Sequence, residues 1–459
     1  MIQTLSIKKI SAAAEMTKEL KMELKEKLVS SFLAFEEEFT GTNDDLHKIR
    51  NQAIKDFETI GFPSRKEEDY KYTSLKSILK EDYSLFPKKE NAIEYKDIKK
   101  YLIHEIDTYD LVFIDGIYSS HLSSTTHDKI DVCLMSSALN KDLYKPVIDN
   151  YFNKLAPKNG LNSLNTAFTK EGAFIHIHKN TMADKPIQII NFSTGNESSL
   201  LVQPRNLIVV DENSHCQIIE RHQSLTDHPV LTNSVTEIFA DKRAIVDYYK
   251  IQNDKLSASL IDNTYIEQQS ESFCSVHTFS LGGKLTRNNL NFYQRGERID
   301  STMKGITLIE GKQHVDHNTL VHHIEPNCES HQDYKGIFDE RSVGVFNGKV
   351  VVEKEAQKTN AYQSNNNVLL NDKATINSKP QLEIFADDVK CSHGCTIGQL
   401  DEEALFYLQS RGIPKKEASG LLMYAFANNV LESVKIPEIK KRINKLIAHK
   451  LGVELGFNL

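Results

Sequence analysis

Tryptophan is absent from this 459-residue chain, and cysteine occurs only six times. Four of the cysteines (Cys133, Cys216, Cys274 and Cys328) are scattered singly. That spacing gives no disulfide framework and suits a reducing compartment. The first twenty residues, MIQTLSIKKISAAAEMTKEL, lack the sustained apolar stretch of a secretory signal. No apolar run approaches the ~20 residues that a membrane span requires. A soluble, cytoplasmic protein with no membrane partner is therefore expected. A positive excess is missing too: the net charge is −7 and the pI about 6.2, so nothing draws the chain as a whole toward nucleic acid.

The sequence also lacks the usual catalytic signatures. There is no GxxxxGK[ST], no GxGxxG between a strand and a helix, and no HExxH, GxSxG or CxxC. Gly282-Gly283-Lys284 looks like part of a phosphate loop but has neither the spacing nor the following Ser or Thr. An ATPase, a dinucleotide oxidoreductase, a zincin and a serine hydrolase are all disfavoured.

What is present is a long β region between two helical ones. In residues 1–95, Leu20, Leu24, Leu28 and Phe32 recur at about one helical turn, and a short helix is expected after Gly61 and Pro63. Residues 96–168 are mixed. LVFIDGIYSSHL reads as strand, turn and strand, and KDLYKPVIDNYFNKLA as helix despite Pro146. Residues 169–398 are a succession of short runs rich in Ile, Val and Tyr, such as AFIHIHKN, PIQIINFST and VGVFNGKVVVE, with Asn, Asp, Gly and Ser between them. No amphipathic helix interrupts. A sandwich normally needs about 100 residues, whereas a solenoid accommodates a long β stretch with loose repeats. Asn365, Asn366 and Asn367 suit either a tight turn or a stacked polar corner.

Residues 399–459 are helical again. Asp401 is a helix cap, Gly412 a stop, and Pro414 and Pro437 open two further helices. Ala418, Leu421, Leu422, Ala425 and Phe426 form an apolar stripe on the second helix, and Ile439, Ile443, Leu446 and Ile447 one on the third. From Arg411 to Leu459 there are nine Lys/Arg and four Asp/Glu, which makes either a solvated face or a docking surface.

Two groups of residues offer metal chemistry. KQHVDHNTLVHHIEPNCESHQ contains His314, His317, His322, His323, His331 and Cys328. Strand alternation sends 314/317 and 322/323 to opposite faces, so surface or packing roles fit better than a metal cage. In KCSHGC, by contrast, Cys391, His393 and Cys395 alternate on one strand face, successive residues about 6.6–7 Å apart. Thiolate and imidazole suit zinc or iron–sulfur ligation. The two thiols would lie about 13 Å apart on a straight strand, beyond the ~7 Å Cα separation that a disulfide permits. Two or three ligands do not fill a shell, so the remainder must come from elsewhere in the fold, a substrate or another chain.

KPQLEIFADDVKCSHG, followed by IGQLDEEALFYLQSRGIPKKEA, resembles the C-terminal signature of the SufD branch of the SufB/SufD family, components of the SUF iron–sulfur cluster assembly system. The similarity extends through VGVFNGKVVVEKEAQKTNAYQSNNNVLL and QDYKGIF and, more loosely, through EEDYKYTSL and VFIDGIYSS. It implies a right-handed β-helix core flanked by helical N- and C-terminal parts. It also implies pairing with the SufB paralog and docking of the SufC ATPase on the C-terminal helices, so that ATP hydrolysis belongs to SufC and this chain is a non-catalytic subunit. The histidine of the family's KCSHG motif is linked to transient cluster assembly at the SufB–SufD interface. That role falls to His393, with Cys391 second. Cys395 departs from the family pattern and takes no assigned role. The family complex is associated with a reduced flavin, for which no motif here gives a site. A homodimer of the isolated chain stays open. KCSHG favours the SufD type over a SufB-type scaffold, which carries a VEHEA-like stretch there. An enzyme reading, as a β-helix lyase or a metal enzyme using the 314–331 histidines, is the other class.

Overall fold

The computed structural model describes residues 23–37, 44–85, 93–103, 105–126, 128–195 and 198–453; Leu20 lies outside them. Eight strands stack in parallel in each of two sheets. The first sheet runs through Ile187–Ser193, His215–Ser224, Ile245–Gln252, Phe273–Ser280, Asp300–Ile309, Glu329–Phe338, Asn360–Leu369 and Lys390–Gly398. The second runs through Ala173–Ile177, Arg205–Val210, Val230–Ala240, Ala258–Gln268, Leu285–Gln294, His314–His323, Val343–Val352 and Thr375–Ile384. Successive strands in the chain alternate between the sheets through most of this region, so the fold is a β-solenoid.

Stacking removes both faces of the early strands from water, which explains their nearly continuous apolar runs. Ile187–Ser193 and Val230–Ala240 are buried at every position. One cluster, including Ile218, Tyr248, Val276, Ile238 and Ile266, fills the space between the sheets. Charged groups also lie inside. Lys250 Nζ donates to Asp262 at 2.6 Å and pairs with Glu220 at 3.1 Å, while Tyr248 donates to Glu220 at 2.7 Å.

At its N-terminal end the first sheet gains a ninth parallel strand, Tyr109–Ile114, laid along Ile187–Ser193. Tyr109–Ile114 and Ile117–Tyr118 form a hairpin whose turn residues, Asp115 and Gly116, both have positive φ (52° and 78°), as the tight Asp-Gly turn requires. Ile130–Leu134 closes the second sheet antiparallel to Ala173–Ile177. Leu24, Leu28, Phe32 and Phe35 of helix Leu24–Glu37 pack with Leu164 and Phe168, in a cluster that reaches Leu201, Leu231 and Ile261 of the second sheet. Only a single 3₁₀ turn, Glu68–Tyr70, follows Pro63. Pro146 lies in the first turn of helix Lys145–Tyr151, where its missing N–H costs no hydrogen bond.

The C-terminal helices Lys415–Leu431 and Pro437–Leu451 fold back over the outer face of the first sheet. Of the third-helix stripe, Ile439, Ile443 and Ile447 are fully buried and Leu446 packs beside them half-buried. On the second helix the buried set is Ala418, Gly420, Met423, Ala427, Val430 and Leu431; Ala425 is exposed and Leu421, Leu422 and Phe426 are half-buried. Leu421 and Phe426 still pack against the core, but the helix is apolar around most of its circumference, so spacing alone finds only part of the buried face. Asn365–Asn367 are not a turn but lie within strand Asn360–Leu369, where Asn367 donates to Asn365 at 2.7 Å and Asn366 to Ser364 at 2.9 Å. Among the described residues, no helix is long and apolar enough to cross a membrane.

Candidate functional site at the open end of the solenoid

The register of the first sheet places Cys391, His393 and Cys395 directly over Ala361, Gln363 and Asn365. Those three are buried and face the interior. The column beneath His393 runs Gln363, Gln332, Met303, Val276, Tyr248 and Ile218, one residue per coil. It changes from apolar to amide to imidazole as it approaches the end of the stack. Gln363 donates to Gln332 at 3.2 Å, and Gln332 accepts from Thr319 at 2.8 Å, so the amides are held from below.

Above His393 no further coil follows. Lys390–Gly398 is bonded to Asn360–Leu369 on one side only and is the last strand of its sheet, as Thr375–Ile384 is of the other. Neither strand has a buried residue. The two edges differ in chemistry. Thr375–Ile384 carries Pro380, which withdraws a ladder donor and blunts that edge. Lys390–Gly398 carries no proline, and a Cβ at Gly394 or Gly398 would meet nothing within 4 Å. The imidazole of His393 has no hydrogen-bond or ion-pair partner among the described residues. Cys391 is half-buried beside Val350, Val352, Ala361 and Ala386, and burial pushes its thiol above the ordinary value. Cys395 is exposed, its Sγ 3.9 Å from Asn365 Oδ1. All six cysteines are free thiols.

These three residues share a face, as strand periodicity requires, but they do not converge into a cage. Among the described residues, two groups bring three ligand-type side chains within 4.8 Å of one another: Asp131/His176/His178 and Asp300/Glu329/His331. Neither includes His393. The 314–331 histidines are dispersed. His317 is buried against Thr307 (2.9 Å) and His323 against Ser330 (2.9 Å), and burial pushes both down to about 3. His314 bonds Thr73 at 2.9 Å, and His322 pairs with Glu353 at 2.7 Å. Only His331 joins a cluster. Sequence reading passed over Asp131, His176 and His178; the alternating histidines of AFIHIHKN were the available signal, but the carboxylate comes from a distant strand.

The first C-terminal helix, Glu402–Ser410, is capped as expected, Asp401 accepting from Glu403 N at 2.9 Å and Ala404 N at 3.0 Å. None of its residues is buried, and Phe406 and Tyr407 are 72% and 57% exposed. Arg411 lies over the Tyr407 ring, 5.3 Å from its centroid, and the helix contributes no buried residue to the core.

Comparison with known proteins matches residues 192–426 to the family model described as "SUF system FeS cluster assembly, SufBD core domain" and residues 22–189 to "SufBD protein N-terminal region". An iron–sulfur cluster assembly SufBD family protein of Synechocystis is 30% identical over 419 residues, covering 89% of this chain and 92% of that one. The iron–sulfur cluster assembly protein SufD of Escherichia coli is 28% identical over 428 residues, covering 91% and 95%. SufD of Bacillus subtilis is 27% identical over 319 residues, covering 67% and 71%. With both models matched in order along the solenoid and its N-terminal region, the chain belongs to the SufBD family of iron–sulfur cluster assembly proteins.

Proposed function

We propose that this chain is the SufD-type subunit of a SufB–SufC–SufD scaffold and that it pairs with a SufB-type paralog through strand Lys390–Gly398. A nascent iron–sulfur cluster, the cargo of the complex, is assembled at that junction. His393 is its ligand from this side, and Cys391 supports it. The observation that carries the reading is the uncovered edge strand. It presents an inward-facing imidazole and thiol at the one end of the tube where no further coil follows. A second chain laid along this edge would supply the missing ladder bonds and the rest of the ligand shell. Imidazole and thiolate are the donor types that iron–sulfur clusters accept.

Helix Glu402–Ser410, with Phe406 and Tyr407, is the proposed contact for the SufC ATPase. The helix contacts the next one, Lys415–Leu431, which packs on the first sheet. ATP hydrolysis is then SufC's work, which fits the lack of a phosphate loop in this sequence. No residue here is proposed for the reduced flavin.

The test is co-expression with SufB and SufC, followed by anaerobic reconstitution with iron and sulfide. His393→Ala should leave the complex assembled and lower cluster absorbance by about tenfold or more. Cluster formation at the wild-type level in an intact complex would remove His393 from the role. Phe406→Ser with Tyr407→Ser should release SufC and retain SufB.

A further inference from the structure

A second group of ligand-type side chains lies at the opposite end of the solenoid. Strand Ala173–Ile177 turns Ile175 and Ile177 into the core, and His176 therefore points outward. His178 follows on the same side, and the two rings sit 4.2 Å apart. Antiparallel pairing with Ile130–Leu134 sets Asp131 directly opposite His176. His178 Nε2 donates to Asp131 Oδ2 at 2.7 Å. Asp211, just past strand Arg205–Val210, accepts from His176 Nε2 at 3.0 Å. Tyr144 donates to Asp131 Oδ1 at 3.1 Å. Asp131 and His176 are buried and His178 is half-buried, and one ligand atom from each of the three lies within 4.8 Å of the others.

Asp131, His176 and His178 converge, and Asp211 adjoins them through His176; two imidazoles and two carboxylates would balance the charge of a divalent ion and are the borderline donors that zinc and iron(II) take. Tyr144 stands where an outer-shell group orients a ligating carboxylate. The Asp300/Glu329/His331 group offers one imidazole and an exposed glutamate, and makes the weaker set.

We propose that Asp131, His176 and His178, with Asp211 completing the shell, bind one divalent transition ion. The ion clasps the N-terminal region, through Asp131, to the first coils, through His176 and Asp211. Binding replaces two Nε2–H···O hydrogen bonds by metal–nitrogen and metal–oxygen bonds, and each imidazole keeps one proton, moved to Nδ1. The site is independent of His393 and of any partner chain.

Cobalt(II) is the probe, because its visible d–d absorption reports a tetrahedral nitrogen–oxygen shell. The full chain, stripped of metal, is titrated with cobalt and then challenged with zinc. One equivalent should give the tetrahedral band, zinc should displace it, and zinc should raise the melting temperature. His178→Asn and Asp211→Asn should each weaken cobalt binding by at least about tenfold and abolish the melting shift, and Tyr144→Phe should weaken it by about tenfold. His331→Asn should change nothing. A folded wild-type chain without the band, or an unaltered band in both His178→Asn and Asp211→Asn, would overturn the proposal and leave the cluster a closed hydrogen-bond network. Asp211 is about a third exposed, so its substitution keeps the test valid if a buried one unfolds the chain.

Discussion

The two ends of the solenoid share one strand geometry and are finished in opposite ways. At the first end the sheet edges are covered by an antiparallel hairpin and an antiparallel strand, and the outer face of the second sheet is packed under helices. At the last end both edges are bare, and their residues are exposed or half-buried. A solenoid buries each coil between neighbours, so its terminal coil always lacks one. Burial is therefore concentrated at the first end, while the last end leaves the strand that bears its imidazole and thiols uncovered.

The contrast is broken most severely at the first end. Arg205 and Glu237 are fully buried and paired at 2.6 Å. Glu237 also accepts the amides of Asn153 (2.8 Å), Leu155 (2.7 Å) and Ala156 (3.1 Å). Glu237→Ala leaves a buried guanidinium without its carboxylate and should cost about 3–5 kcal/mol in urea unfolding. His393→Ala should stay within about 0.5 kcal/mol in the same assay on the isolated chain.

A pH scan gives the next largest effect. Burial alone would raise the Asp247 carboxyl, but hydrogen bonds from His215, Lys435 and Ser275 outweigh it and hold it at about 2, below its ordinary 3.8. A depressed carboxyl stabilises the fold above its unfolded value. That contribution, about 2 kcal/mol, is lost as the pH falls from about 4 through about 2. Lys435 reaches Asp247 at 2.8 Å from the segment between the last two helices, so their seat on the first sheet should loosen in that window. Asp247→Asn should flatten this part of the stability profile.

A pair of glycines sharpens the comparison. A Cβ on Gly172 would run into the backbone of Arg205, and Gly172→Ala should destabilise by about 1–3 kcal/mol. Gly394 has open space around it. Gly394→Ala should have almost no effect on the isolated chain and should weaken SufB pairing. Unchanged pairing in a co-purification assay would mean that no second strand closes on this edge.

Local features were legible before any tertiary contact was known. The caps at Asp401, Gly412 and Pro437, the Asp115-Gly116 turn, and the shared face of Cys391, His393 and Cys395 all depend on a few neighbouring residues and a strand or helix period. What escaped depended on distant ones. The stripe expected on Lys415–Leu431 holds only in part, with Ala418 buried and Ala425 exposed, because that helix is apolar nearly all round and only the sheet beneath it selects a side. The asparagine run leaves a tight turn and a stacked polar corner equally open in sequence, because the partners that decide, Ser364 and Thr396 among them, lie along and across strands. Asp131 and His178 are 47 residues apart, and only strand pairing brings them together.

From its order of residues alone, then, the chain determines a long helix-free run of strands between helical ends, and an alternating thiol–imidazole–thiol motif near its close. Periodicity is enough for that, because a strand places every second side chain on one face. Only the stacked structure decides that this face looks inward, that the coil carrying it is the last, and that the neighbouring edge is blunted by Pro380 while this one is open. Those properties belong to the stack rather than to any strand in it: burial and edge pairing exist only where another coil does or does not follow.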